Sequence, residues 1–240
     1  FEDGYCYEQD YALELDANRQ TLMDDNKMNT SCEIVVGTHF RTIGKTAKRI
    51  WLIDTPGVNS SQDKAHRDLT ERYIKEAPSD MLIYLLNGEN IGSEDDKNHL
   101  QFVREHYTGN VIFLINKLDR FRKEEDSIAE TLAAAVDDLK EIGFADPVVV
   151  PISSYAAYLA KMSIFGEELD KFSQMELGLI AGKLNDTEYQ FDTYYPNSSR
   201  SEVELDSSSE AKFLLLHSGV LQLENIIYGM RGQIYERDAD

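Results

Sequence analysis

The sequence predicts an α/β domain built on a mixed, mostly parallel sheet flanked by helices. Three observations carry that expectation. The apolar runs MLIYLLNG, NVIFLIN and PVVVPIS alternate with helix-patterned segments, the order that produces parallel strands joined by crossover helices. Each run is continuously apolar, as strands covered on both faces are. Upstream, SCEIVVGTH and KRIWLID follow one another around FRTIGKTAKR with no helix between them. That arrangement predicts an antiparallel hairpin and makes the sheet mixed.

Taken in order, residues 1–30 are polar, acidic and weakly periodic, and are expected to be a connecting segment. The hairpin follows, then a helix through ERYIKEAPSD and the strand DMLIYLLNG. SEDDKNHLQFVREHY reads as a helix capped by Ser93 with acids in its first turn, and SIAETLAAAVDDLKEIG as one that starts at Ser127 and stops at Gly143. After PVVVPISS, either serine can cap a helix through AAYLAKM. FGEELDKFSQMELGLIAGKL is expected to be an amphipathic helix, and LNDTEYQFDTYYPNSSRSEVELDSSSE an acidic loop too polar to pack by itself. Tyr189, Tyr194 and Tyr195 in that loop read as aromatic lids on the preceding helix. HSGVLQLENIIYGM reads as a closing helix. The divisions are therefore 1–30, a core at 31–162, a helical and acidic-loop insertion at 163–210, and the closing helix at 211–240, all within one domain.

Two tetrapeptides carry the chemistry. WLID runs straight into Asp54-Thr55-Pro56-Gly57. A carboxylate at a strand end can help hold Mg²⁺ through a water, and a glycine amide can approach a γ-phosphate closely. Downstream, NVIFLI runs into Asn116-Lys117-Leu118-Asp119. There the two oxygens of Asp119 can accept paired hydrogen bonds from the N1–H and N2–H₂ of guanine, an edge that adenine lacks. Asn116 and Asp119 would select guanine, and the aliphatic stem of Lys117 would lie over the base. Either motif alone is a common surface turn; in this order, each at the end of an apolar strand, they point to GTP and Mg²⁺.

DTPGVNSS, His66, Thr70, ERYIKEAPSD, MLIYLLNG and NKLD together resemble the G domain of the dynamin superfamily, closest to its bacterial dynamin-like members. The resemblance covers about Ser31 to Met162 and returns at HSGVLQLENIIYGM. It implies a P-loop NTPase-like G domain that binds and hydrolyses GTP, associates with itself through G domains, and acts in the cytoplasm and at a membrane surface through parts outside this chain. It also implies that Ser153 and Ser154, at the end of PVVVPIS, form the loop whose amides touch the guanine O6. Val58 stands where small GTPases carry a water-orienting glutamine, so the catalytic residue is not identified. His66 reads as a helix residue rather than a base, and Thr21 and Thr30 have no distinctive context as a switch threonine.

The phosphate-binding motif GxxxxGK[ST] is missing. Gly44-Lys45-Thr46 has His39 where the first glycine belongs, and a strand pattern follows it, whereas a phosphate loop opens a helix. The first strand and phosphate loop are thus absent from the sequence, which opens on Phe1 and is expected to be a piece of a longer chain. If the gene itself lacks that loop, a degenerate G domain serving as an interaction scaffold becomes the leading alternative.

Composition narrows the field. The chain has 240 residues, 42% of them hydrophobic, enough for one sizeable core. With 44 acidic against 24 basic residues the formal net charge is −20. That argues against nucleic acid as a partner, against a basic membrane-binding face on this chain, and against a ribosome-associated GTPase with a basic appendage. Cys6 and Cys32 have no metal-ligand spacing and are expected to be reduced thiols. No apolar run reaches the roughly 18 residues that a membrane span needs.

Overall fold

A computed structural model describes residues 50, 52–55, 64–76, 79–122, 125–196 and 209–229. The elements below all belong to the compact unit Leu52–Asp240. The segment 1–30, the hairpin with Gly44-Lys45-Thr46, Thr21, Thr30, both cysteines, Gly57, Val58 and residues 197–208 lie outside the described residues, as does the side chain of His66.

Helix α1 (Lys64–Glu76) precedes three parallel strands, β1 (Met81–Asn87), β2 (Asn110–Asn116) and β3 (Val148–Ile152), in the order β1-β2-β3. Ile83 lies opposite Ile112, and Ile112 opposite Val148. Helix α2 (Glu94–His106) joins β1 to β2, and α3 (Ile128–Ile142) joins β2 to β3. Among the described residues the sheet is wholly parallel.

The helices begin and end where the local chemistry directs. The Ser93 hydroxyl accepts the Asp96 amide at 3.2 Å, and Glu94, Asp95 and Asp96 in the first turn, with Arg104 and His106 in the last, suit the helix dipole. Ser127 caps α3, and Gly143 closes it at φ 109°, its amide reaching the carbonyls of Leu139 and Lys140. Ile128, Leu132, Ala135 and Leu139 form the buried face of α3. Covering each of its three larger side chains contributes about 1.5–3 kcal/mol.

One sheet face places Tyr84, Leu86, Phe113 and Ile115 in the main core with Leu100, Val103, Leu132 and Leu139. The other places Ile112, Leu114, Val150 and Ile152 against Tyr195, with Leu223 and Ile226 packed alongside. β2 is thus buried on both faces, as its unbroken apolar run predicts. β1, at the edge of the described sheet, leaves Leu85 57% exposed.

Beyond the sheet come α4 (Ser154–Ile164), α5 (Lys171–Leu184), two 3₁₀ turns (Thr187–Tyr189 and Phe191–Tyr194), α6 (Glu210–His217) and α7 (Val220–Gly229).

Three expectations need correction. Leu52–Asp54, expected to be the end of the strand KRIWLID, is irregular, with Leu52 61% and Ile53 51% exposed. Apolar residues give a strand its propensity, but only a hydrogen-bonded neighbour makes one, and this segment joins no ladder of the described sheet. The acidic loop is not wholly apart from the core: residues 185–196 fold into the two 3₁₀ turns and bury Tyr189, Phe191 and Tyr195. The closing segment is two helices, because Ser218-Gly219 breaks it with Gly219 at φ 79°.

Candidate functional site

The site is assembled at the carboxyl ends of β1, β2 and β3, where in-register pairing brings Asn87 beside Asn116 and Asn116 beside Ile152. Open parallel sheets characteristically place ligands at this edge.

Asn116 ends β2 and reaches across to the start of α4. Its Nδ2 donates to the Ser154 hydroxyl at 2.8 Å, and its Oδ1 accepts the Ser154 amide at 3.1 Å. The NKLD segment and the serine pair, expected separately to meet the base, are joined by this two-bond clamp between Asn116 and Ser154. Ser153 does a different job. It is fully buried, its hydroxyl caps α4 by accepting the Ala156 amide at 3.1 Å, and its own amide donates to the Ser218 carbonyl at 2.9 Å. Both serine amides are thus engaged within the protein, and Ser153 positions the helix that carries Ser154. Asn116→Ala should remove both bonds of the clamp and cost about 1 kcal/mol, lowering the melting midpoint by about 2–4 °C. An unchanged melting curve would mean the clamp carries no weight.

Lys117 takes the left-handed conformation, φ 68° and ψ 16°, and starts the short 3₁₀ turn Leu118–Arg120. That backbone reversal lets Leu118 drop fully into the core while Asp119 stays at the loop. Asp119 is 9% exposed, and its Oδ1 is buried without a hydrogen-bond partner among the described residues. A buried carboxylate oxygen left unpaired costs free energy that a bound N–H donor would recover.

The loop is held from two sides by residues that sequence reasoning missed. From the 3₁₀ turn Gly88–Asn90 that follows β1, Glu89 bridges Lys117 at 3.2 Å and Arg120 at 3.3 Å. The hydrogen bond from Lys117, reinforced by Arg120, keeps the Glu89 carboxyl below its usual range. Just before it, the backbone of Gly88 passes so close that a Cβ there would lie 2.8 Å from the Asn116 carbonyl oxygen. The Asn87-Gly88 dipeptide at a strand end is a signal that could have flagged this approach. From the other side, the Lys183 ammonium donates to the Asp119 carbonyl at 2.5 Å and to the Phe121 carbonyl. It also sits 4.5 Å from the ring centre of Tyr189. Burial pulls the Lys183 pKa below its ordinary value, with Asp119 and Asp126 acting in the opposite direction.

Of the other expected residues, Asp54 is exposed and Thr55 half-buried on irregular backbone. Among the described residues neither is hydrogen-bonded to the NKLD loop or to the serines. No cluster of metal-ligand side chains occurs among the described residues, and no described helix is long and apolar enough to cross a membrane.

The comparisons with known proteins agree with this geometry. Residues 7–118 match the family described as the Dynamin family. The chain is 28% identical over 146 residues to dynamin-like protein A of Bacillus subtilis (strain 168), an alignment covering 59% of this chain and 12% of that protein. The chain thus spans only a small part of the length of that relative, and no solved structure gives a significant match. The motif order and the strand-end position of NKLD accord with this similarity of residues 7–118 to the Dynamin family.

Proposed function

We propose that this chain supplies the guanine-recognising part of a GTPase. The observation that carries the proposal is the orphaned Oδ1 of Asp119, buried beside an Asn116–Ser154 clamp at the carboxyl edge of a parallel sheet. The N1–H and N2–H₂ of guanine are the donors that such a carboxylate lacks. Asn116 fixes the loop against α4, Lys117 offers its aliphatic stem to the base, and Ser154 stands at the rim of the same site. Ser153 serves by holding α4 in place. In the intact protein the activity is hydrolysis of GTP to GDP and phosphate, with Mg²⁺ held in part by Asp54 through a water and the γ-phosphate sensed at Thr55 and Gly57. Self-association through G domains, and membrane remodelling through parts outside this chain, complete the proposal.

The phosphate side of the site is the test. Most nucleotide affinity in such domains comes from a loop offering several amides and a lysine to the triphosphate, and this sequence has none. The guanine contacts alone should give a Kd of about 1 mM, roughly −4 kcal/mol, with no hydrolysis. Isothermal titration of the 240-residue chain with GDP, a non-hydrolysable GTP analogue and ADP decides it. Guanine nucleotides should bind near millimolar and ADP undetectably. Equal binding of ADP would sink the guanine assignment, and micromolar GDP binding would reveal a phosphate site in this chain.

A second reading, a degenerate G domain used as a scaffold, is favoured by the irregular, exposed Leu52–Asp54 segment. The readings separate on the gene product containing this chain: the first requires GTP turnover, the second none.

A further inference from the structure

The segment between the last turn of α5 and Tyr189 looks at first like an appendage, yet it grips both ends of the loop that follows NKLD. At the near end, the Lys183 ammonium donates to the carbonyls of Asp119 and Phe121, two residues apart. The Tyr189 hydroxyl also points to the Phe121 carbonyl, at 3.4 Å. At the far end, the Glu188 carboxylate accepts the Ile128 amide at 3.1 Å, at the first turn of α3. The grip is itself well anchored. Tyr189 is 1% exposed and Leu184 fully buried in the main core, so Lys183 is flanked by immobile neighbours.

The chemistry of this contact is specific. An ammonium has three donors and no acceptor. Spending two of them on carbonyls i and i+2 fixes the direction of the peptide planes at either end of the Arg120-Phe121 pair. The Tyr189 ring faces the same charge, so the ammonium loses little freedom on entering the contact. Holding the plane that leaves Asp119 restrains, from its C-terminal side, the direction in which the Asp119 side chain leaves the backbone. Hydrogen bonds weaken steeply when misaligned, and a bidentate contact requires both carboxylate oxygens to be in register with two donors at once.

We propose that Lys183, seated on Tyr189, is a positioning residue for base selectivity: it sets the register of Asp119, so that the carboxylate reads both the N1–H and the N2–H₂ of a guanine. The proposal rests on the guanine reading of Asp119. Glu89 holds the side chains of Lys117 and Arg120, while the Asp119 carbonyl is held by Lys183 and the Phe121 carbonyl by Lys183 with Tyr189.

The experiment compares GMP with IMP, which lacks only the 2-amino group, by following backbone amide shifts of the 240-residue chain in NMR titrations. The wild-type chain should prefer GMP on the order of tenfold, the loss of one charge-assisted hydrogen bond. In Lys183→Met, which keeps the apolar stem and removes the donors, GMP should weaken to the level of IMP while IMP moves by no more than about twofold. Lys183→Arg, which still donates, should keep most of the preference. If Lys183→Met does not melt cooperatively, Lys183→Gln is read in its place, with an intermediate loss of preference expected. A folded variant that retains the full GMP preference, or one that weakens both nucleotides equally, overturns the positioning role and leaves the guanine site standing. A wild-type chain that does not distinguish GMP from IMP overturns the guanine reading and this inference with it.

Discussion

Asp119→Asn is expected to exchange guanine for xanthine. On the proposed reading the carboxylate accepts from two donors on the guanine edge, and each charge-assisted bond contributes about 1.5–3 kcal/mol. Losing both lowers GDP affinity by a factor on the order of a hundred or more, which in this chain removes measurable binding. The amide of asparagine instead donates to the second carbonyl of xanthine. XDP should therefore bind the variant about as well as GDP binds the wild type. The fold should not suffer: Oδ1 is already buried without a partner, so a neutral amide there relieves a desolvated charge. Titrations with GDP and XDP, alongside a melting curve, check all three points. Unchanged GDP affinity with no gain of XDP binding would remove Asp119 from the site.

Gly219→Ala should be strongly destabilising. Gly219 has φ 79°, and a Cβ there would lie 2.5 Å from the Pro151 carbonyl oxygen, 3.2 Å from Tyr195 and 3.3 Å from Ile152. The left-handed backbone alone costs an L-residue about 1–2 kcal/mol, and forcing a methyl into packed backbone adds about 1–3 kcal/mol. The expected loss of about 2–5 kcal/mol is a large share of the 5–15 kcal/mol that holds a typical domain together. The damage would spread to the site, because Ser218 next door accepts the Ser153 amide and Ser153 caps the helix carrying Ser154. Urea denaturation measures the loss. A change under about 0.5 kcal/mol would mean that the turn has room the geometry does not show.

What could be read from the sequence was local. The caps at Ser93, Ser127 and Gly143, the three apolar strands and the NKLD loop each depend on residues within a few positions of one another, and each formed as expected. Where a partner lies far away in sequence, the reading failed. Leu52–Asp54 has strand composition but no ladder in the described sheet. Tyr189 and Tyr195 pack as the lids they were read to be, but Phe191 stands among Asp and Thr, and the average polarity of the stretch hid its burial. At the site, the NKLD and Ser153-Ser154 segments could be picked out by motif and by their places after the second and third strands, whereas the bonds between Asn116 and Ser154 show only in the folded chain. Lys183 could not be picked out, because a lysine in the last turn of an amphipathic helix ordinarily faces water. Only the folded chain shows it turned inward onto two carbonyls.

Lys117 is the one non-glycine residue with positive φ among the described residues. Glycine would adopt that backbone without steric cost, whereas lysine accepts strain on the order of 1 kcal/mol there. Two measures of merit therefore diverge at a single codon. On the proposed guanine reading, an engineer ranking variants by heat resistance has reason to write glycine at 117, and one ranking them by retention of a purine has reason to keep lysine. A thermostabilised version of this domain obtained by the first criterion alone would carry its defect where no melting experiment looks.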